Sequence, residues 1–107
     1  MFNLPDAIFF ELNDAFFDIA SQQIELLRIA FLQKDTEQLI LHSHTIKGSS
    51  ASLRHLSIND IAQRIEDHAK SNEPFDYATA IFTLSEEITR LRSLYMHWKP
   101  NHPSVST

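Results

Sequence analysis

Apolar residues recur along most of the chain at steps of three and four, the spacing of one face of an α-helix. Leu12, Phe16, Ile19, Gln23, Leu27 and Ala30 form a first stripe; Asn13 and Asp14 are placed to cap that helix, which ends near residues 33–35. Ahead of it, Pro5 followed by Asp6 suits a helix start, and residues 6–12 predict a short leading helix of their own. Asp35 or Thr36 caps the next helix, which runs to about Arg54 with Leu39, Ser43, Ile46, Ser50 and Leu53 turned inward. Ser57, with Asp60 three residues later as a weak capping box, begins a third, striped by Ile58, Ile61, Ala62, Ile65 and Ala69 and broken at Ser71-Asn72-Glu73-Pro74. A fourth runs from about Asp76 to Trp98 on Tyr77, Ile81, Leu84, Ile88, Leu91, Tyr95 and Trp98. Four amphipathic helices with short connections predict an all-α fold: an antiparallel up-down four-helix bundle with a short extra N-terminal helix, over residues 1–99. Residues 100–107 read as a disordered tail.

Composition narrows the function more than the fold. A chain of 107 residues, 43% apolar, suits one domain with one core. One glycine and four prolines leave little room for the turns of an all-β protein. With no cysteine there is neither a disulfide framework nor a thiolate metal site. A net charge of −5 without a basic block argues against nucleic acid. No apolar run approaches the roughly 20 residues of a membrane span, and the N-terminus lacks the basic start of a secretory signal. The expectation is a cytoplasmic protein, and Met1 with the short tail suits a free-standing one.

The chemistry gathers on the second helix, in His44-Thr45-Ile46-Lys47-Gly48-Ser49-Ser50. At about 100° per residue, Leu39, Ile46 and Leu53 share the core side and His44 faces away from them. Around it on the outer surface lie Ile40, Leu41, Lys47, Gly48 and Ala51, an apolar ring with one cation beside a titratable group, as expected of a docking surface. Arg54 continues the stripe and adds positive potential. Gly48 is the only glycine; in mid-helix it costs about 1 kcal/mol relative to alanine, and it clears space one turn beyond the imidazole. Lys47 reaches the same space as a mobile point charge. An unprotonated imidazole is a competent nucleophile near neutral pH.

These residues resemble the histidine-containing phosphotransfer (HPt) family, whose pattern is a histidine, two residues, then Lys-Gly and small residues on the second helix of a four-helix bundle. The resemblance covers roughly residues 9–95. It implies that His44 accepts a phosphoryl group from a receiver-domain aspartate and passes it to another receiver. The receiver supplies Mg²⁺ and most of the catalytic groups, and the chain itself needs no cofactor. It also implies that Glu66, where some relatives carry a polar residue that hydrogen-bonds the histidine, orients the ring. One departure is the absence of a second glycine some ten residues past the histidine: Leu53-Arg54-His55 stands there, which sets Arg54 and His55 near the docking rim.

Other readings are weaker. His42 points to the core side and is structural. His42 and His44, two apart, do not face each other and make no metal pair. Ser49 and Ser50 are packing residues, with no histidine–aspartate arrangement attached. The phenylalanine of each pair, Phe9-Phe10 and Phe16-Phe17, that turns outward enlarges the docking patch, as does Ile24. With one glycine no nucleotide-binding loop exists, so autophosphorylation is not expected. The alternative is a helical interaction module that docks receivers without phosphotransfer. A monomer is expected, since both partners must reach one face.

Overall fold

The computed structural model describes residues 4–99, and the side chains of residues 7–99; the expected tail lies outside them. Within these bounds the chain forms four helices: α1 (Leu4–Leu32), α2 (Thr36–Ser52), α3 (Leu56–Ser71) and α4 (Tyr77–Trp98). Each packs beside two others, α1 on α2 and α4, α3 on α2 and α4, around one core.

The separate leading helix is absent: α1 runs unbroken for 29 residues. The residues expected to cap a second helix are taken up by tertiary partners instead. Asn13 is buried; its amide donates to the Phe9 carbonyl at 3.0 Å and its oxygen accepts from His55 Nε2 at 2.9 Å. Asp14 accepts from the Tyr95 hydroxyl at 2.9 Å and the Lys99 ammonium at 2.6 Å. The inward stripe of α1 also differs from the expected one. Phe10, Phe16, Phe17, Ala20, Ile24, Leu27 and Ala30 are buried, whereas Leu12 and Ile19 are about half exposed. Of the phenylalanine pairs only Phe9 turns outward; Phe16, Phe17 and Ile24 are core and cannot widen a docking patch. The periodicity identified a helix correctly, but α1 is apolar on two sides, and the contacts with α2 and α4 choose between them.

Asp35 caps α2, accepting from the Gln38 amide at 3.1 Å. Ser43 and Ser50 are fully buried, their hydroxyls returned to the Leu39 and Lys47 carbonyls of their own helix. These small, satisfied side chains let α3 lie close to α2. Asn59 of α3 then ties the two together through the Lys47 carbonyl at 2.9 Å. The expected Ser57 cap is not made: the cap position is His55, two residues earlier, with no side-chain cap. Ser57 instead donates to Glu87 of α4, and Asp60 pairs with Arg64. Asp76 caps α4 through the Thr79 amide at 3.0 Å.

Each of the first three helices is followed by a non-glycine residue in the left-handed region: Lys34, Arg54 and Asn72 at φ of 57°, 61° and 57°. At Lys34 and Arg54 the residue's own amide and the next one donate back to the last helical turn. For α2 these are Arg54 to Ala51 at 3.1 Å and His55 to Ser50 at 2.8 Å, the Schellman pattern. Arg54 thus occupies the position where the resemblance expects glycine. Left-handed backbone costs a non-glycine residue about 1–2 kcal/mol, partly offset by the greater unfolded-state freedom of glycine. Arg54→Gly is therefore expected to stabilise the protein by about 0.5–1 kcal/mol, read as a thermal midpoint raised by a few degrees. A lowered midpoint would show that the Arg54 side chain holds the turn. No helix of the described residues is long and apolar enough to cross a membrane.

Candidate functional site

His44 stands on the exposed side of α2 with 62% of its side chain accessible. Facing it from α3 is Glu66, 1% exposed and the sole buried acidic residue among the described residues. Its carboxylate gathers three cationic or donor groups: His44 Nδ1 at 3.0 Å and Lys70 Nζ at 2.7 Å on Oε2, and Lys47 Nζ at 2.8 Å on Oε1. The Lys47 contact is an ion pair, and Oε1 has no other partner.

Burial by itself would raise the Glu66 pKa, but Lys47, Lys70 and His44 together overcome it and hold the carboxyl at about 2. An ionised carboxylate only accepts hydrogen bonds. The His44 contact therefore places a proton on Nδ1, and in the neutral ring leaves the Nε2 lone pair directed at solvent. One carboxylate and two ammonium groups leave the surroundings of the ring with a formal charge of +1, suited to an anion approaching from outside.

Acid should weaken this cluster. The Glu66 pKa lies below its ordinary 4.5, so its contribution is complete above that value. It is lost as pH falls from there toward 2, since the unfolded chain takes up the proton first. Glu87, held at about 2 by Arg90 and the Ser57 hydroxyl, acts in the same window. Urea titrations should show stability falling over this range, and Glu66→Gln should flatten the fall without abolishing it. An unchanged pH profile in that variant would deny Glu66 its place in the linkage.

Of the other residues singled out from sequence, Leu41, Gly48 and Ala51 are exposed on the His44 side of α2, while Ile40 is half-buried and packs partly on the core. Arg54 does not continue that stripe: α2 ends at Ser52, and Arg54 is exposed in the left-handed turn that follows. Around Gly48 a built Cβ meets no atom within 4 Å, and its φ is not positive. Nothing in the fold requires glycine there. The structure does not bring His55 to this face. Its ring stacks on Phe16 with centroids 4.8 Å apart and is hydrogen-bonded to Asn13, so it secures the α2–α3 turn against α1, and burial lowers its pKa. His42 bridges the side-chain amides of Gln23 and Gln38 at 2.6 and 2.9 Å, a structural role as expected. Lys70 was missed from sequence, although a glutamate four residues before a lysine on a helix is a readable pair.

The sequence matches the Hpt domain family over residues 11–94, well over half of the chain. The chain belongs to the Hpt domain family. It is also similar to the phosphorelay intermediate protein rdeA of Dictyostelium discoideum, 28% identical over 97 residues, which are 87% of this chain. This Hpt domain spans 38% of that relative's length. No solved structure matches it.

Proposed function

We propose that this Hpt domain is a phosphoryl carrier of a two-component phosphorelay, with His44 accepting from a receiver-domain aspartyl phosphate and donating to the aspartate of a second receiver. The supporting observation is the outward imidazole of His44, held by Glu66 through Nδ1 and bordered by the open surface over Gly48. The Nε2 lone pair attacks phosphorus in line, the phosphorus–oxygen bond to the receiver aspartate breaks, and the carboxylate leaves with the bonding pair. The positive charge left on the ring is compensated by Glu66 through the retained Nδ1 proton. Lys47 exchanges Glu66 for the phosphoryl oxygens while Lys70 keeps the carboxylate neutralised. Transfer of this kind depends on positioning and charge more than on covalent assistance. The receiver brings the Mg²⁺ and the aspartate; the chain acts as a carrier without autokinase activity.

Residues from opposite ends of paired helices meet: Gln23 with His42, Asn13 with His55, Asp18 with Arg92, Asp14 with Tyr95. This pairing supports the antiparallel up-down order of the bundle, and a cytoplasmic setting belongs to the same proposal. The rdeA relative, named a phosphorelay intermediate, supports the carrier reading over a module that docks receivers without transfer.

The test is incubation with a phosphorylated receiver domain: the chain should acquire acid-labile, base-stable label that a second receiver removes. Receiver binding without label would favour the docking module. Lys47→Ala should slow transfer by roughly 10²–10³-fold, the range of one lost electrostatic contact to the reacting group, with the fold intact because Lys70 still compensates Glu66. Equal single-turnover rates in the two proteins would remove Lys47 from the mechanism.

A further inference from the structure

Glu66 is buried on α3, its neighbours hold it ionised, and it is the hydrogen-bond partner of the His44 ring, 3.0 Å from Nδ1. The charged groups facing the ring come from two helices. They are Lys47 on α2 and Glu66 and Lys70 on α3, with Asp67 acting on Lys70 and Glu37 two turns earlier on α2. The other helix packed on α2 is α1, which meets it through His42 and His55, away from His44. A carboxylate in this position bears on the ring after phosphorylation as well as before it.

We propose that Glu66 holds the Nδ1 proton on the phosphorylated ring, keeping phospho-His44 ready to give up its phosphoryl group at neutral and alkaline pH and so limiting how long the group is stored. This control of the site rests on the carrier reading above. When the group departs, the bond between phosphorus and Nε2 breaks and the bonding pair stays on Nε2. An oxygen of the receiver aspartate, or of water, takes the phosphorus. If Nδ1 carries a proton, the ring left behind is neutral imidazole. If Nδ1 is bare, it is the imidazolate anion, a far stronger base and a far poorer leaving group. An imidazole without a partner gives up its proton near pH 6.5, so a phosphohistidine left to solvent passes into the slow form above neutrality. Glu66 opposes that loss, because an anion in hydrogen-bond contact favours the protonated ring. Its carboxylate is 1% exposed, so salt and water screen the contact little. The phosphoryl group adds negative charge on the Nε2 side, and Lys47 turns to its oxygens. Lys70 stays on Oε2, which keeps Glu66 from taking the ring's proton for itself. A glutamine at position 66 would accept the same hydrogen bond without the charge. It would also leave both ammonium groups unopposed beside the ring, which drives the proton off.

The full chain is loaded with phosphoramidate, a small phosphoryl donor that needs no receiver, and loss of label from His44 is followed against pH in wild type and Glu66→Gln. Near pH 5 both rings are protonated, and the two proteins should lose label at similar rates. At about pH 8.5, two units above the ordinary imidazole value, a ring without the carboxylate keeps its proton about one time in a hundred. Loss from Glu66→Gln should then be slower than from wild type by roughly tenfold or more, with wild-type loss nearly flat over the range. Nuclear magnetic resonance of the ring nitrogens should show Nδ1 of phosphorylated wild type still protonated at the alkaline end, a reading that needs no variant. A bare Nδ1 there overturns the proposal, as do equal pH profiles in the two proteins or a His44 that takes no label. Slowing of Glu66→Gln by one factor at every pH also overturns it, assigning the effect to the freed charge of Lys47 and Lys70 on the phosphoryl oxygens. The carrier reading fails separately, if receivers neither deliver nor remove the group while the pH dependence holds.

Discussion

His44→Gln is expected to reduce phosphoryl acceptance from a receiver to background, while His42→Gln retains it within a few-fold. Glutamine is close in size to histidine, polar and uncharged, but its amide nitrogen has no free lone pair to attack phosphorus. The substitution therefore removes the nucleophile and little else. The His44 side chain is mostly exposed, and exposed substitutions usually shift stability by no more than about 0.5 kcal/mol. An inactive His44→Gln protein should accordingly unfold at nearly the wild-type temperature. His42 is the stringent control. It lies two residues away on the same helix, but its ring is spent on Gln23 and Gln38. Its replacement should cost stability rather than transfer. Residual acid-labile label in His44→Gln, with label lost in His42→Gln, would move the acceptor to the wrong side of α2.

The contrast between these two histidines shows what the sequence makes legible. On α2 the inward residues Leu39, Ser43, Ile46 and Ser50 stand at clean helical steps, so the opposite face, and with it His44, Gly48 and Ala51, could be placed from spacing alone. Glu66 was reached only through the resemblance, because a buried carboxylate looks like any other acidic residue until its partners are known. Those partners come from two helices: Lys47 and His44 from α2, Lys70 from α3 itself. The break expected in α1 but absent from it, and the inward turn of His55, share one cause. Asn13 was read as a local cap, and His55 as a rim residue, yet they are hydrogen-bonded to each other across 42 positions of chain. Residue types that satisfy themselves locally or at a distance equally well leave no periodic trace. The two apolar faces of α1 mark the same limit, since spacing identifies a stripe without stating what lies opposite it.

Gly48 should separate stability from function with opposite signs. A Cβ added there meets open space, so in the isolated protein an alanine satisfies the helix better than glycine. Gly48→Ala is expected to raise the unfolding free energy by about 1 kcal/mol. Gly48→Leu should be at least as stable as wild type, since leucine is also a strong helix former and its side chain would project into solvent. In transfer the order reverses. The Gly48 surface borders the imidazole one turn on, and the in-line geometry of phosphoryl transfer leaves no slack for a side chain between the reacting groups. A misplacement of about 1 Å can cost on the order of 10²-fold. Leucine at position 48 should therefore cut the single-turnover transfer rate by about 10²-fold or more, and alanine by less. Nothing in the fold accounts for this glycine, and the proposed carrier role gives it one, the close approach of a receiver. Gly48→Leu with wild-type transfer would show that no partner comes close to this surface. Gly48→Leu that is less stable than wild type would show that the glycine serves the helix after all.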